Sequence, residues 1–380
     1  MVPNGWEVKI LEDLASVERG KFSARPRNDP KYYGGEIPFV QTGDIAGAKT
    51  YLKSYSQTLN EEGLKVSRLF PKNTILITIA ANIGDVAITS FDVACPDSLV
   101  AIQPKENADV VWLYFYLETC QKELDGQATQ NAQKNINLQV LRPLKILTPP
   151  LPEQQKIAKI LSTWDKAIST TERLIDNSTQ QKKALMQQLL TGKKRLLDES
   201  GKRFEGEWEE VKLGEISHIT TGNSNREDSS LTGKYAFFDR SIDVRTSGIF
   251  LFDAEAVIVG GEGQDFVPKY FEGKFDLHQR TYAIMDFKNA YGKFLFYYIG
   301  YYRYYFLSQA VGSTVKSLRL PMFQKMPIKL PSVKEQQKIA TVLTNADKEI
   351  ELLEQQLADL QQEKKALMQV LLTGKKRVVD

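Results

Sequence analysis

The chain has 380 residues and a formal net charge of +3, with 42% apolar and 10% aromatic side chains. That composition suits two or three folded domains and excludes bulk disorder. No run reaches the ~18–20 uninterrupted apolar residues of a membrane span, and the most apolar run, 74–88, is broken by Asn82 and Asp85. The near-neutral charge argues against a protein that grips nucleic acid by phosphate neutralisation alone. The basic surplus is confined to 151–198, where nine basic side chains meet five acidic ones. The first six residues have neither the basic flank nor the apolar core of a secretory signal, so the expectation is a cytoplasmic protein. Cys95 and Cys120 are too few for a zinc cluster or a disulfide framework and read as core thiols.

Residues 1–150 form the first predicted domain. It opens on Trp6-Glu7-Val8-Lys9. A proline-rich loop follows, with Arg25, Arg27 and Lys31 beside Tyr32 and Tyr33. Apolar patterning predicts strands at 74–80, 86–89 and 99–103, and a helix from Asp109 to about Glu123. The run 127–137 is rich in amides and includes Gln127, Gln130, Gln133, Lys134 and Asn135. Amides suit adenine edges and arginine suits guanine, so both loops are candidates for base contacts. For any one residue an ordinary solvated loop is an equal reading.

Residues 151–198 read as one long helix, introduced by Pro152 in its first turn. Residues 199–330 are a second domain, with Trp208-Glu209-Glu210-Val211-Lys212 and Gly222 echoing Trp6 to Lys9 and Gly20. Its early loop holds Asn223, Asn225 and Arg226; a late loop holds Ser313, Thr314, Lys316, Ser317 and Arg319. Strands are predicted at 256–259 and 280–285. A tyrosine-rich helix is predicted at about 291–307, read as a core stripe with wet edges in preference to a stacking surface. Residues 331–380 repeat the long helix.

The repeat is the strongest signal in the chain. Glu153-Gln154-Gln155-Lys156-Ile157-Ala158 recurs as Glu335 to Ala340. Lys182-Lys183-Ala184-Leu185-Met186-Gln187 recurs as Lys364 to Gln369, and Leu189 to Arg195 as Leu371 to Arg377. The offset is 182 throughout. Similarity stops sharply at Glu153 and Glu335.

Stepping by four and three along the first copy gives Ile157, Leu161, Trp164, Ile168, Thr171, Ile175, Ser178, Lys182, Leu185 and Leu189. The second copy gives Ile339, Leu343, Ala346, Ile350, Leu353, Leu357, Leu360, Lys364, Leu367 and Leu371. This is a heptad seam about five heptads long, the mark of a coiled coil. The polar members, Thr171, Ser178, Lys182 and Lys364, either set register or are solvated weak spots. Ser332 and Glu335 have capping-box spacing, and Gly192 and Gly374 sit where left-handed C-caps belong. Each helix would be roughly 60 Å long. Chain order makes the pair antiparallel, with the domains related by a pseudo-two-fold axis. Two different domains so related would read an asymmetric bipartite target.

Enzyme signatures are missing. His218 and His278 are too few for most histidine-based sites. Gly192-Lys193 and Gly374-Lys375 lack the rest of a phosphate loop. Gly260-Gly261-Glu262-Gly263 does not match a dinucleotide fingerprint.

Taken together, the whole chain resembles the specificity subunit of type I restriction–modification systems. The likeness rests on the proline-led Glu-Gln-Gln-Lys-Ile-Ala starts, the Leu-Leu-Thr-Gly-Lys-Lys ends and the tryptophan-led domain starts. Gly312-Ser313-Thr314-Val315-Lys316-x-Leu318 also contributes; domain one departs there, with Gly126-Gln127-Ala128-Thr129-Gln130. The resemblance implies an α+β chain. Two mixed β-rich target-recognition domains, 1–150 and 199–330, would be separated by two long helices forming an antiparallel coiled coil. It also implies a non-catalytic subunit that binds double-stranded DNA, docks two adenine methyltransferase subunits and is joined by motor-nuclease subunits. S-adenosylmethionine, ATP and magnesium would belong to those partners, with no cofactor on this chain. The rival reading is a coiled-coil protein-interaction scaffold with no DNA sequence preference.

Overall fold

The structure is a computed structural model that describes residues 2–80, 82–127 and 135–378. The chain divides into two compact units: 1–172 with 355–380, and 173–354. Each unit therefore holds one β-rich domain, the first half of one long helix and the second half of the other.

In the first unit Ala15–Arg19, Leu99–Pro104, Ile75–Thr78, Val86–Thr89 and Tyr51–Leu52 form a five-stranded sheet in that order. Its central strands are buried throughout, which is why they read as continuous apolar runs without alternation. Val110–Thr119 covers one face, with Trp112, Leu113, Phe115 and Leu117 fully buried. The helix predicted to about Glu123 breaks at Cys120 and resumes as Gln121–Gly126. A four-stranded sheet, Gln57–Leu59, Tyr33–Phe39, Val93–Ala94 and Leu69–Phe70, has its own small core around Phe22 and Phe39.

In the second unit the six-stranded sheet runs His218–Thr221, Thr281–Met285, Phe252–Gly260, Lys269–Leu277, Tyr235–Phe238, Arg245–Ser247. The tyrosine-rich segment is two helices, Gly292–Tyr301 and Tyr304–Gln309, where the sequence reading had one. The break at Tyr302 and Arg303 turns the chain so that buried Phe306 packs on Phe323 at 4.7 Å. Tyr297 and Tyr298 are buried and Tyr304 is exposed, so the stripe is core with wet edges.

The repeat does not end at Glu153 and Glu335. Ala101 pairs with Glu18 and Leu76 in one sheet; Ala283 pairs with Thr220 and Ile258 in the other. Leu76 pairs with Ala87, and Ile258 with Lys269. From Leu76 onward these partners keep the offset of 182. Ala101 and Ala283 are the same residue, but Leu76 answers to Ile258 and Ala87 to Lys269, so the ladder preserves a register that the side chains do not display.

The long helices are Leu151–Leu189 and Val333–Leu371. In the first unit Glu153 meets Arg377 and Asp165 meets Lys364; in the second Arg195 meets Glu335 and Lys182 meets Asp347. As one partner's number rises the other's falls, so the helices pack antiparallel. None of the twenty seam positions is exposed. Gly192 and Gly374 terminate the helices with φ of +70° and +67°, and Ser332 Oγ accepts from the Glu335 N–H at 3.4 Å.

Candidate nucleic-acid interface

In the first unit the loops gather at one end of the five-stranded sheet. Ile79 N–H donates to Ser98 O and Ile136 N–H to Ile79 O, and Ala80 bridges Asn135. This sets Asn135 beside the turn that carries Asp97. Asp97 accepts from Arg27 Nη2 at 2.8 Å, and that bond holds the Asp97 carboxyl below its ordinary range. Arg27 of the early loop and Asn135 are thereby brought to the same end of the sheet. Arg25 is exposed and donates to Ala24 O at 2.8 Å. Lys31 pairs with Asp29 at 3.3 Å and lies 4.9 Å from the Tyr32 ring. Gln127 donates to Glu123 at 3.2 Å just past a helix end. Gln130, Gln133 and Lys134 lie outside the described residues. Asn137 caps the helix Leu138–Leu141, so that amide serves the fold.

The second unit repeats the arrangement in register. Leu318 N–H donates to Gly261 O, and Ser317 pairs with Glu262 where the first unit has Asn135 and Ala80. Gln279 stands 182 residues after Asp97 and likewise holds the early loop, donating to Asn225 Oδ1 at 2.6 Å. Asn223 is exposed, and Arg226 Nε lies 3.9 Å from Asp239. Ser313, Thr314, Lys316 and Arg319 are exposed along the late loop. Glu262 binds both Arg240 and Arg280.

Each gathering of loops encloses an open cleft. The first, about 630 Å³, is lined by Arg27, Asn28, Gln41 and Gln57 among others. The second, about 380 Å³, is lined by Arg226, Arg240, His278, Gln279 and Arg280 with Asp239 and Glu262. Burial lowers the His278 pKa, which favours the neutral ring, and the three arginines of the cleft face Asp239 and Glu262. Sequence reasoning missed Asn28, Gln41, Gln57, Arg240 and Gln279 as site residues. They stand singly in unremarkable stretches, and only sheet topology assembles them.

The repeated Glu-Gln of the long helices has a mechanical task. Gln154 Oε1 accepts from Asp109 N–H at 2.8 Å, and its Nε2 donates to Asn107 O and Pro149 O. Gln336 makes the same three bonds to Tyr291, Asn289 and Pro331. Glu153 and Glu335 are clamped by Arg377 and Arg195, whose guanidinium groups stand 5.5 Å from Trp6 and 5.9 Å from Trp208. The tryptophan echoes are the two ends of this clamp.

The polar seam residues also have partners. Lys364 pairs with Asp165 at 2.6 Å and lies 5.0 Å from the Phe115 ring. Lys182 pairs with Asp347, Ser178 donates to Glu349 at 3.1 Å, and the Thr171 hydroxyl donates back to Ala167 O. No helix among the described residues is long and apolar enough to cross a membrane.

A fold of two β-rich domains and two antiparallel helices, with polar loop clusters at equivalent sheet ends, defines a two-headed recognition protein. The family model for the type I restriction modification DNA specificity domain matches residues 3–177 and 205–362. The chain belongs to this family: it is a DNA specificity subunit of a type I restriction–modification system and is not itself catalytic. It is 28% identical to the putative type I restriction enzyme MjaX specificity subunit of Methanocaldococcus jannaschii, covering 99% of this chain and 95% of that one. It is 25% identical to the MjaVIII specificity subunit of the same organism, covering 99% and 94%. The crystal structure of the type I restriction–modification S subunit from M. genitalium matches its fold with a TM-score of 0.65 at 17% identity, covering 98% and 97%.

Proposed function

We propose that domains 1–150 and 199–330 each read one half of a bipartite, asymmetric DNA target, and that the helices at 151–198 and 331–380 set the gap. The observation that carries this reading is the equivalence of the two loop clusters. They occupy the same place in register, yet present different side chains: Arg27, Gln41 and Gln57 in one, Asn225, Arg226, Arg240 and Arg280 in the other. Equal placement suits equal tasks, and unequal chemistry suits unequal half-sites.

Base contacts would come from Arg25, Arg27, Lys31, Tyr32, Gln127, Gln130, Gln133, Lys134 and Asn135 in the first domain. In the second they would come from Asn223, Asn225, Arg226, Ser313, Thr314, Lys316 and Arg319. The helices dock two adenine-N6 methyltransferase subunits, and motor-nuclease subunits complete the restriction enzyme in the cytoplasm. S-adenosylmethionine serves the methyltransferases; ATP and magnesium serve the motor. Near-neutral charge suits a chain whose DNA grip is completed by partner surfaces. The test is to replace 199–330 with the corresponding domain of a relative. One half of the methylated motif should change while the other half and the gap persist. A motif that changes in both halves, or in neither, contradicts the reading.

A further inference from the structure

Each unit carries two side-chain amides joined by a hydrogen bond at its cleft: Gln41 and Gln57 both line the first, whereas Gln279 lines the second and its partner Asn225 stands next to the lining residue Arg226. Gln41 Nε2 donates to Gln57 Oε1 at 3.1 Å in the first unit, and Gln279 Nε2 donates to Asn225 Oδ1 at 2.6 Å in the second. Both bonds are solvent-exposed. A side-chain amide carries two donor hydrogens and one acceptor oxygen. Each link uses one donor of the first amide and one lone pair of the second. Among the described residues, the oxygen of Gln41 or Gln279 and the NH2 of Gln57 or Asn225 make no other hydrogen bond.

An acceptor beside a donor is the complement of the adenine major-groove edge, which offers N6–H as donor and N7 as acceptor. A single exposed glutamine has the same groups but must give up rotamer freedom to aim them. Here each amide restrains the other before DNA arrives. The flanking side chains suit the same ligand. Arg27 lines the first cleft and Arg226, Arg240 and Arg280 line the second, which matches guanine edges or phosphates next to an adenine. The first cleft sets its amide pair and Arg27 beside Phe22, Tyr33 and Phe39, and the second sets Gln279 among three arginines; amide and guanidinium groups so placed suit a base edge, which offers both hydrogen-bonding groups and a flat apolar face.

We infer that Gln41–Gln57 and Asn225–Gln279 are the adenine-reading pairs of the two half-sites. The inference rests on the reading in which each domain contacts its own half-site. Gln57→Glu and Asn225→Asp test it, since each keeps the oxygen that accepts from its partner and replaces the free NH2 with an acceptor. The full chain, assembled with its methyltransferase, selects bound duplexes from pools randomised over the target, and the selected DNA is sequenced. Gln57→Glu should lose adenine preference at one base pair of the first half-site by roughly 5- to 150-fold. Cytosine, whose N4–H2 donates to a carboxylate, should gain there. Asn225→Asp should do the same in the second half-site only. The untouched half-site in each sample reports that the protein is folded. Base preferences unchanged at every position in both variants, whether or not binding weakens uniformly, overturn the inference. A parent chain that selects no sequence at all would instead overturn the underlying reading of half-sites.

Discussion

Arg377 meets Glu153, 224 residues earlier in the chain, through two hydrogen bonds of 2.8 Å. Arg195 holds Glu335 in the same way at 2.6 and 2.7 Å. These two clamps fasten the end of each long helix to the start of the other, at the point where each domain begins.

Removing the carboxylate should loosen the unit that holds it. Glu153 and Glu335 are buried, and breaking a buried pair leaves a charge without its partner. Glu335→Gln should lower the stability of the second unit by about 2–3 kcal/mol, less than a fully buried pair because the guanidinium is part-exposed. The Arg377 bond holds the Glu153 carboxyl below its ordinary value of 4.5. Its stabilisation is present above that value and is lost as pH falls through the lowered folded value. Denaturant melts between pH 7 and pH 3 should show that acid loss in the parent and less of it in Glu153→Gln.

Gln154 and Gln336 each hold one part-buried N–H and two carbonyls. Gln154→Ala should cost about 1–3 kcal/mol, because the part-buried Asp109 N–H loses its acceptor. Gln154→Glu should be worse, since a carboxylate cannot donate to Asn107 O and Pro149 O. Calorimetry of both variants checks the order; a Glu variant as stable as the parent would contradict it.

The terminal glycines should respond unequally to alanine. Both have positive φ, so each substitution carries about 1 kcal/mol of backbone strain. A Cβ at Gly192 would sit 3.5 Å from Trp208, an ordinary contact, whereas one at Gly374 would fall 2.4 Å from Pro3 Cγ. Gly374→Ala should therefore lower the melting temperature more than Gly192→Ala.

Much of this was legible in the sequence, because the information is periodic or repeated. Heptad spacing marks positions from Ile157 to Leu189 and from Ile339 to Leu371 as one face of each helix, and none of these positions is exposed. The tryptophan echoes and the Glu-Gln pairs were visible as repeats, yet their meaning was not, since Trp6, Glu153 and Arg377 meet only in three dimensions. The upstream repeat was hidden because strands 75–78 and 252–260 share register without sharing side chains. The clefts were half legible. Arg27, Asn225 and Arg226 stand in polar loops that draw attention, whereas Gln41, Gln57 and Gln279 carry no local signal.

The helix seam also makes a prediction about DNA. Deleting one heptad from the middle of a long helix removes roughly 10 Å of rise, or about three base pairs at about 3.4 Å each. Methylation mapping should find the same two half-sites with a changed gap. An unchanged gap would sink the view of the helices as a ruler.

The most direct measurement is a long-read adenine-methylation map of the native host, with and without this gene. The account predicts that one asymmetric bipartite motif loses its methylation on deletion and regains it when the gene is restored. A map in which every methylated motif persists without the gene would contradict it.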